Sequence, residues 1–469
     1  MNMIWQRLRR FNTIWDSRFE DLTRATWLRT TYRDLSAGLV VALTAIPMAM
    51  GFAMAMGLRP EQGIIAGALA CIIGRTWGGS KYQVYGPTAA FIPIIAALMS
   101  KYGEAGGGTF DEAHGFLVLC SIGAGVVLLL MGLFGVGKFA AYVPNSIVVG
   151  FTVGIAVAIA LSNINSVLGL HHVDIEGHFV EQMATIFMHL GEVNLWAVGL
   201  AMITLFATRW LLKVSIFIPA PLLALGLCTV LAATALSGEG VALVRDEYGS
   251  IPSNFFVFTP PRLPEATAAM FGDLVYFVLA IVFVSGVESL LCSSMADRLA
   301  NNRGTKFDPD KEFWGQGMVQ IITPLVNGFP CTGALARTAT SIKAGAVTPL
   351  AGYFKGVLKI ILAIFVAPYL EMVPMACIGG ILLWVASNMI KPAEIAEVWS
   401  KGRLDAAMMI YTAVMVPMTD FLTGVLSALA LYAVISWIRH TRTRAPSAAP
   451  RPSPGDHDGA SSGEFPVTP

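Results

Sequence analysis

What this chain of 469 residues lacks above all is charge: Asp, Glu, Lys and Arg together make up 13% of it, about half of the ~25% of an ordinary soluble domain. With 55% apolar residues, a soluble globule could not cover its own surface. A disulfide framework is absent too, because Cys71, Cys120, Cys228, Cys292, Cys331 and Cys377 fall inside or beside apolar runs, where they act as small apolar side chains. The first 33 residues contain no apolar core of signal-peptide length. No metal cluster is expected, since His171, His172, His178 and His189 lie in one predicted outer loop and His114, His440 and His457 lie elsewhere. No cofactor is implied.

What is present is a series of apolar runs of roughly 17 to 26 residues, each long enough to cross a bilayer. Fourteen segments are predicted, at 36–56, 62–75, 87–100, 113–136, 145–163, 193–212, 215–235, 269–294, 312–327, 334–344, 350–369, 373–390, 404–418 and 421–438. The chain therefore reads as an all-α polytopic membrane protein. Arg7, Arg9, Arg10, Arg18, Arg24, Arg29 and Arg33, interleaved with Trp5, Trp15 and Trp27, suggest a basic amphipathic segment over 1–33 lying on the cytoplasmic face. No nucleic-acid partner is expected. The Pro- and Ser-rich tail from 439 to 469 is predicted to be disordered.

Charge placement tests the count. If the N-terminus is cytoplasmic and all fourteen segments cross, the outer connections hold only Arg59, Lys101, Arg245 and Arg262 of the 31 basic residues. Arg337 lies within a segment, and the rest fall on the cytoplasmic side, as the positive-inside rule requires. The outer loop 164–192 carries Asp174, Glu176, Glu181 and Glu192 without a Lys or Arg. Both termini are predicted inside a cell (plasma) membrane, and the chief charges left within the bundle are Glu288 and Arg337.

Two breaks echo each other. A Gly-Pro break at Gly86 and Pro87 follows the start of the first segment by about as many residues as a Pro-x-x-Gly break at Pro330 and Gly333 follows the start of the eighth. Two halves of seven crossings must be inverted, and short interrupted segments at matching positions of inverted repeats point to a transporter's central site. Helices starting at both breaks would aim free N–H groups at one cavity, an anion site. Arg337 lies a turn into the second short helix, where burial and the dipole disfavour a cation by at least ~2.5 kcal/mol. Either an ion pair with Glu288 or a transported anion would compensate it. Ser285, Glu288, Ser289 and Cys292 share one helical face by their spacing. Thr44, Met48 and Phe52 form another stripe, readable as packing or as a wall of the site. The run GLFGVGK at 132–138 matches GxxxxGK, but Phe139 replaces the Ser or Thr of a phosphate loop and no strand precedes it.

At these residues the chain resembles the sulfate permease (SulP) family of anion transporters. The matching text runs DLSAGLVVALTAIPMAMGFAMAMGL from Asp34, YGPTAA at 85–90, ESLLCSSMADRL at 288–299 leading to FDPDKEFWGQG, and GFPCTGALARTATSIKAGAVTPLAG at 328–352. The resemblance implies two inverted repeats of seven, as in the sulfate-permease and uracil-permease folds. It further implies a core domain (34–142 and 267–371) that slides as an elevator against a gate domain (143–236 and 372–438), with an extracytoplasmic loop at 237–266. Carried over, the anion would meet backbone N–H groups near Thr88, Ala89, Ala334, Leu335 and Ala336, the Arg337 guanidinium and the Phe52 side chain. Glu288 matches the family's coupling carboxylate. The tail is too short and polar to form the family's usual STAS domain, which puts regulation through it in doubt; a homodimer stays open. Sodium-coupled members carry Asp, Thr and Thr where this chain has Glu288, Cys292 and Leu335, so a proton is the better coupling ion than Na⁺. The expected function is secondary transport of sulfate or bicarbonate. Alternatives are an exchanger or channel for chloride, bicarbonate or dicarboxylates, or a nucleobase:cation symporter. No nucleophile, base and orienting group converge, so an enzyme is not expected.

Overall fold

The computed structural model describes residues 2–137, 144–170, 179–236, 238–252, 254–264, 267–419 and 421–443. Among them run nineteen α-helices in chain order: α1 (Asn2–Phe11), α2 (Trp27–Ala55), α3 (Pro60–Trp77), α4 (Ile92–Tyr102), α5 (Phe110–Phe134), α6 (Asn145–Ser162), α7 (Ile164–Leu168), α8 (Phe179–Met188), α9 (Leu195–Val214), α10 (Ala220–Ala235), α11 (Val244–Tyr248), α12 (Ala268–Leu299), α13 (Pro309–Leu325), α14 (Leu335–Lys343), α15 (Leu350–Leu370), α16 (Met375–Met389), α17 (Pro392–Lys401), α18 (Arg403–Met418) and α19 (Phe421–Thr443). Two short strands, β1 (Tyr85–Gly86) and β2 (Thr332–Gly333), and several 3₁₀ turns lie between them.

Local chemistry fixes many of these limits. Thr109 and Glu112 form a capping box at the start of α5, whose other end is closed by Gly135 in the left-handed region (φ 79°). That closure places the GLFGVG run at a helix C-terminus, so it is no phosphate loop; Lys138 lies outside the described residues. Asp308 caps α13 through the N–H groups of Asp310 and Lys311, with Pro309 at its first position. Each predicted apolar segment coincides with one helix: α2 to α6, α9, α10, α12 to α16, α18 and α19. Seven stretches, namely α2, α5, α6, α9, α12, α15 and the run Met375–Lys401, are long and apolar enough to cross a membrane by length and composition. The others are shorter or carry charge. Aromatic and aliphatic side chains such as Phe206, Trp210, Leu227, Phe271, Phe365 and Trp437 face outward, a surface suited to lipid and not to water.

The helices pack in two sets. In one, α5 and α3 lie on α13, α2 and α3 lie on α15, and α12 lies on α5 and α14; in the other, α6 lies on α18 and α16, and α9 on α16 and α10. They meet chiefly where α2 touches α16 and α10. The predicted boundary at 142/143, the histidines at 171, 172 and 178, and the tail beyond Thr443 lie outside the described residues.

The N-terminal segment departs from a simple surface helix. After α1 the chain turns inward, and Arg18 is 2% exposed. It donates to the carbonyls of Arg75 (3.0 Å), Gly78 (2.5 Å) and Thr76 (3.3 Å) at the end of α3, which would otherwise be orphaned. Asp16 holds both Arg18 (2.8 Å) and Lys311 (2.5 Å), while Lys81 pairs with Glu20 and Asp21. Burial alone would raise the Asp16 carboxyl, but Arg18 and Lys311 hold it below the usual aspartate value.

Candidate functional site

The two sequence breaks meet. β1 and β2 pair antiparallel, with Tyr85 opposite Gly333 and Gly86 opposite Thr332, the mutual direction that inverted halves require. Pro87 ends the first strand and Pro330 precedes the second, so neither can extend into a longer sheet. From this two-residue ladder two helices start. One is a 3₁₀ turn (Ala89–Phe91) leading into α4; the other is α14, with Ala334 at its N-cap. Neither Thr88 nor Ala334 caps its helix through a side chain.

The expected anion-facing residues are gathered here, with one revision. The Ala334 N–H is not free, because it donates to the Val84 carbonyl at 2.8 Å and so prolongs the ladder. The donors left at that helix start are Leu335 and Ala336, which are half-buried and exposed, respectively. Thr88 and Ala89 are buried, and Phe52 is buried in the apolar cluster that also holds Ala89 and Phe91. Along the same stripe Thr44 donates to the carbonyls of Val40 and Val41 in its own helix, and Met48 is half-buried.

Arg337 is 5% exposed. Its Nη2 donates to the Pro87 carbonyl, while its buried Nη1 has no partner among the described residues. The direct ion pair with Glu288 is not formed. Glu288 instead accepts from the Thr88 hydroxyl at 2.9 Å, so carboxylate and guanidinium are held on neighbouring parts of the same break. The α12 residues share an inward face, as their spacing predicted, and that face meets α13 and α14: Ser285 receives Gln320 Nε2 at 2.5 Å, Cys292 Sγ lies 3.3 Å from Thr338 Oγ1, and the Ser289 hydroxyl donates to Glu312 at 2.5 Å.

Several buried charges were missed by sequence reasoning. The Glu312 carboxylate is completely buried and accepts from the N–H groups of Gly79 (2.9 Å) and Ser80 (3.2 Å), Gln83 Nε2 (2.7 Å) and the Tyr85 hydroxyl (2.8 Å). Lys355 and Lys359, assigned to the cytoplasmic end of a segment by charge counting, are buried inside α15. Lys355 Nζ donates to the carbonyls of Tyr85 (2.7 Å) and Gly67 (3.3 Å), and Lys359 Nζ to that of Gly63 (3.2 Å). Arg75 is buried as well, with Nη1 on the Lys81 carbonyl (2.5 Å). Glu288 and Arg337 are thus two charges among several. The missed signal was periodic: Gly352, Lys355, Gly356 and Lys359 share one face of α15 at spacings of three and four, and the glycines bring that face against α3. His114 is buried between Gln62 and the Gly328 carbonyl, a structural role. No cluster of metal-ligating side chains occurs among the described residues.

Comparison with known proteins agrees with this architecture. The Bacillus subtilis protein described as "Putative sulfate transporter YvdB" is 37% identical over 90% of this chain and 76% of its own length. The solved transmembrane domain of a cyanobacterium bicarbonate transporter, BicA, superposes with a TM-score of 0.71 at 21% identity, covering 86% of this chain and 98% of that one. The structure of SLC26A9 gives a TM-score of 0.76 at 18% identity, covering 90% and 68%. At such identities the structures attest the fold alone. Residues 32–412 match the family model described as the sulfate permease family, and on that match, with YvdB beside it, the chain belongs to the sulfate permease family of membrane anion transporters.

Proposed function

We propose that the chain is a secondary transporter of a small inorganic anion, sulfate or bicarbonate, across the cell membrane, with both termini cytoplasmic. The observation that carries the proposal is Arg337. A guanidinium buried with one terminal nitrogen unpaired, beside two uncapped helix starts, is costly unless something negative arrives. YvdB is named for sulfate and BicA for bicarbonate, and backbone donors with one Arg read charge and size in either. The anion would meet the N–H groups of Thr88, Ala89, Leu335 and Ala336, the Arg337 Nη1 and the wall made by Phe52.

The two packed sets of helices are taken as the core (34–142 and 267–371) and gate (143–236 and 372–438) of an elevator. Their narrow meeting along α2, α16 and α10 supports sliding of one against the other. Glu288 is the candidate coupling group. With the Thr88 hydroxyl as its hydrogen-bond partner, and Cys292 turned to Thr338, its surroundings supply too few oxygen ligands for Na⁺, which favours a proton. Uptake of labelled sulfate and bicarbonate into proteoliposomes tests the reading. Arg337→Ala should abolish uptake in a protein that still elutes as a folded species, whereas wild-type uptake in that variant would refute the site. Glu288→Gln should flatten the pH dependence of uptake, and an unchanged profile would remove Glu288 from coupling. Accumulation against a gradient separates a transporter from a channel.

A further inference from the structure

We propose that Lys355 and Lys359 select the valence of the anion, making the site one for a divalent oxyanion over a monovalent anion of similar size. The proposal rests on the reading of Arg337 as the anion's partner. Three cations surround the β1–β2 ladder: Arg337 from α14, and Lys355 and Lys359 from α15. They lie close to one another around Gly67 and Gly86. A Cβ on Gly67 would run into the Lys359 ammonium and the Pro87 ring, and one on Gly86 would come within 2.9 Å of Arg337 Nη1 and 3.4 Å of the Gly67 Cα. Gly86 itself has φ +154°, so this crossing tolerates no side chain.

Among the described residues no carboxylate pairs with the lysines. Lys359 donates to the Gly63 carbonyl, and Lys355 to the carbonyls of Gly67 and Tyr85, with the Cys71 side chain as a further, uncharged partner. The titratable groups acting on Lys359 from the elements around it are Lys355, Arg337, Cys331 and Cys71. Among the described residues Glu288 is the carboxylate that acts on Arg337. Arg75 and Glu312, which both act on Tyr85, add one charge of each sign and leave the count unchanged. With the three cations and Glu288 all ionised, a formal excess of two positive charges surrounds the anion position, which a dianion cancels and a monovalent anion only halves. The lysines do not touch the anion; they act across the β1 backbone through a low-dielectric interior, where a unit charge several ångströms away still discriminates strongly.

The experiment compares uptake of labelled sulfate and chloride into proteoliposomes at fixed pH. In Lys359→Met, and in Lys355→Met with Lys359→Met, the sulfate-to-chloride ratio should fall, by about tenfold for each lysine removed, while chloride uptake persists. A ratio that stays at the wild-type value, or a parallel loss of both fluxes, overturns the inference. Should the variants not fold, the wild-type protein decides: at equal ionic strength sulfate should raise its melting temperature more than chloride or nitrate, and equal or greater protection by the monovalent ions overturns it. Sulfate uptake that depends on Arg337 but keeps its selectivity without the lysines would sink this inference alone. A wild-type protein that carries none of sulfate, chloride and bicarbonate would sink the transport reading beneath it as well.

Discussion

Helices α2 to α5 with α12 to α15 and helices α6 to α10 with α16 to α19 have the same apolar exterior but different interiors. The first set buries Asp34, Glu61, Arg75, Asp297, Lys311, Glu312, Arg337, Lys355 and Lys359. Among its described residues the second buries no charge, and its buried polar groups are hydroxyls and one amide, on Ser146, Asn163, Thr204, Thr208 and Thr412. Two ways of holding helices together follow. In the charged set, interhelical hydrogen bonds fix position, so Glu312 alone ties α13 to β1, to α12 and to the connection after α3. In the apolar set, contact is by shape, which resists little when one surface slides past another.

The contrast can be broken from either side. The largest effect is expected at Arg337: Arg337→Ala should lower anion uptake on the order of 100-fold or more, the scale of removing one partner of a buried charged pair. For stability, Glu312→Ala strands the Gly79 and Ser80 N–H groups and the Tyr85 hydroxyl, and should cost about 3–5 kcal/mol in thermal or denaturant melts. A loss below about 1 kcal/mol would show that the polar wiring is dispensable. At the contact between the sets, a Cβ on Gly51 of α2 would meet Ile378 Cγ2 at 3.1 Å and Leu382 Cδ2 at 3.2 Å. Gly51→Leu should therefore jam the contact, at about 1–3 kcal/mol of overpacking, and slow uptake more than it weakens substrate binding. Thr412→Val, in the apolar set, removes a bond made only to the Met408 carbonyl of its own helix and should change stability by less than about 1 kcal/mol.

Strong acid should loosen the N-terminal strap. Asp16 titrates below its ordinary 3.8 because Arg18 and Lys311 favour its charged form. Its contribution is therefore full above that ordinary value and lost as pH falls through the lowered one. Hydrogen exchange of residues 10–25 should rise there, and Asp16→Asn should produce the same opening at neutral pH. No change in exchange in the variant would show that the strap is held by something else.

Much of this arrangement was legible in the sequence. The apolar runs predicted the helices because a 20-residue span is a length argument, and Gly86, Pro87, Pro330 and Gly333 predicted the breaks because those residues disfavour continued helix or sheet. Glu288 and Arg337 stood out as charges in apolar company. Lys355 and Lys359 did not, since two lysines diluted by aliphatic neighbours read as the edge of a span when position is inferred from charge sidedness. Their oxygen acceptors are backbone carbonyls, which have no sequence signature. The same holds for Arg18, whose acceptors are carbonyls some sixty residues away, and for Ala334, whose N–H was spent on a ladder only a structure reveals.

The two-residue ladder has a kinetic corollary. Because Tyr85 and Gly86 are tied to Gly333 and Thr332, the starts of α4 and α14 are rigidly spaced, and any travel of one carries the other. An anion riding between them would feel the same donors at both ends of the journey. Its dissociation constant should then be alike on the two faces of the bilayer, and the direction of net flux would be dictated by the gradients and not by the protein.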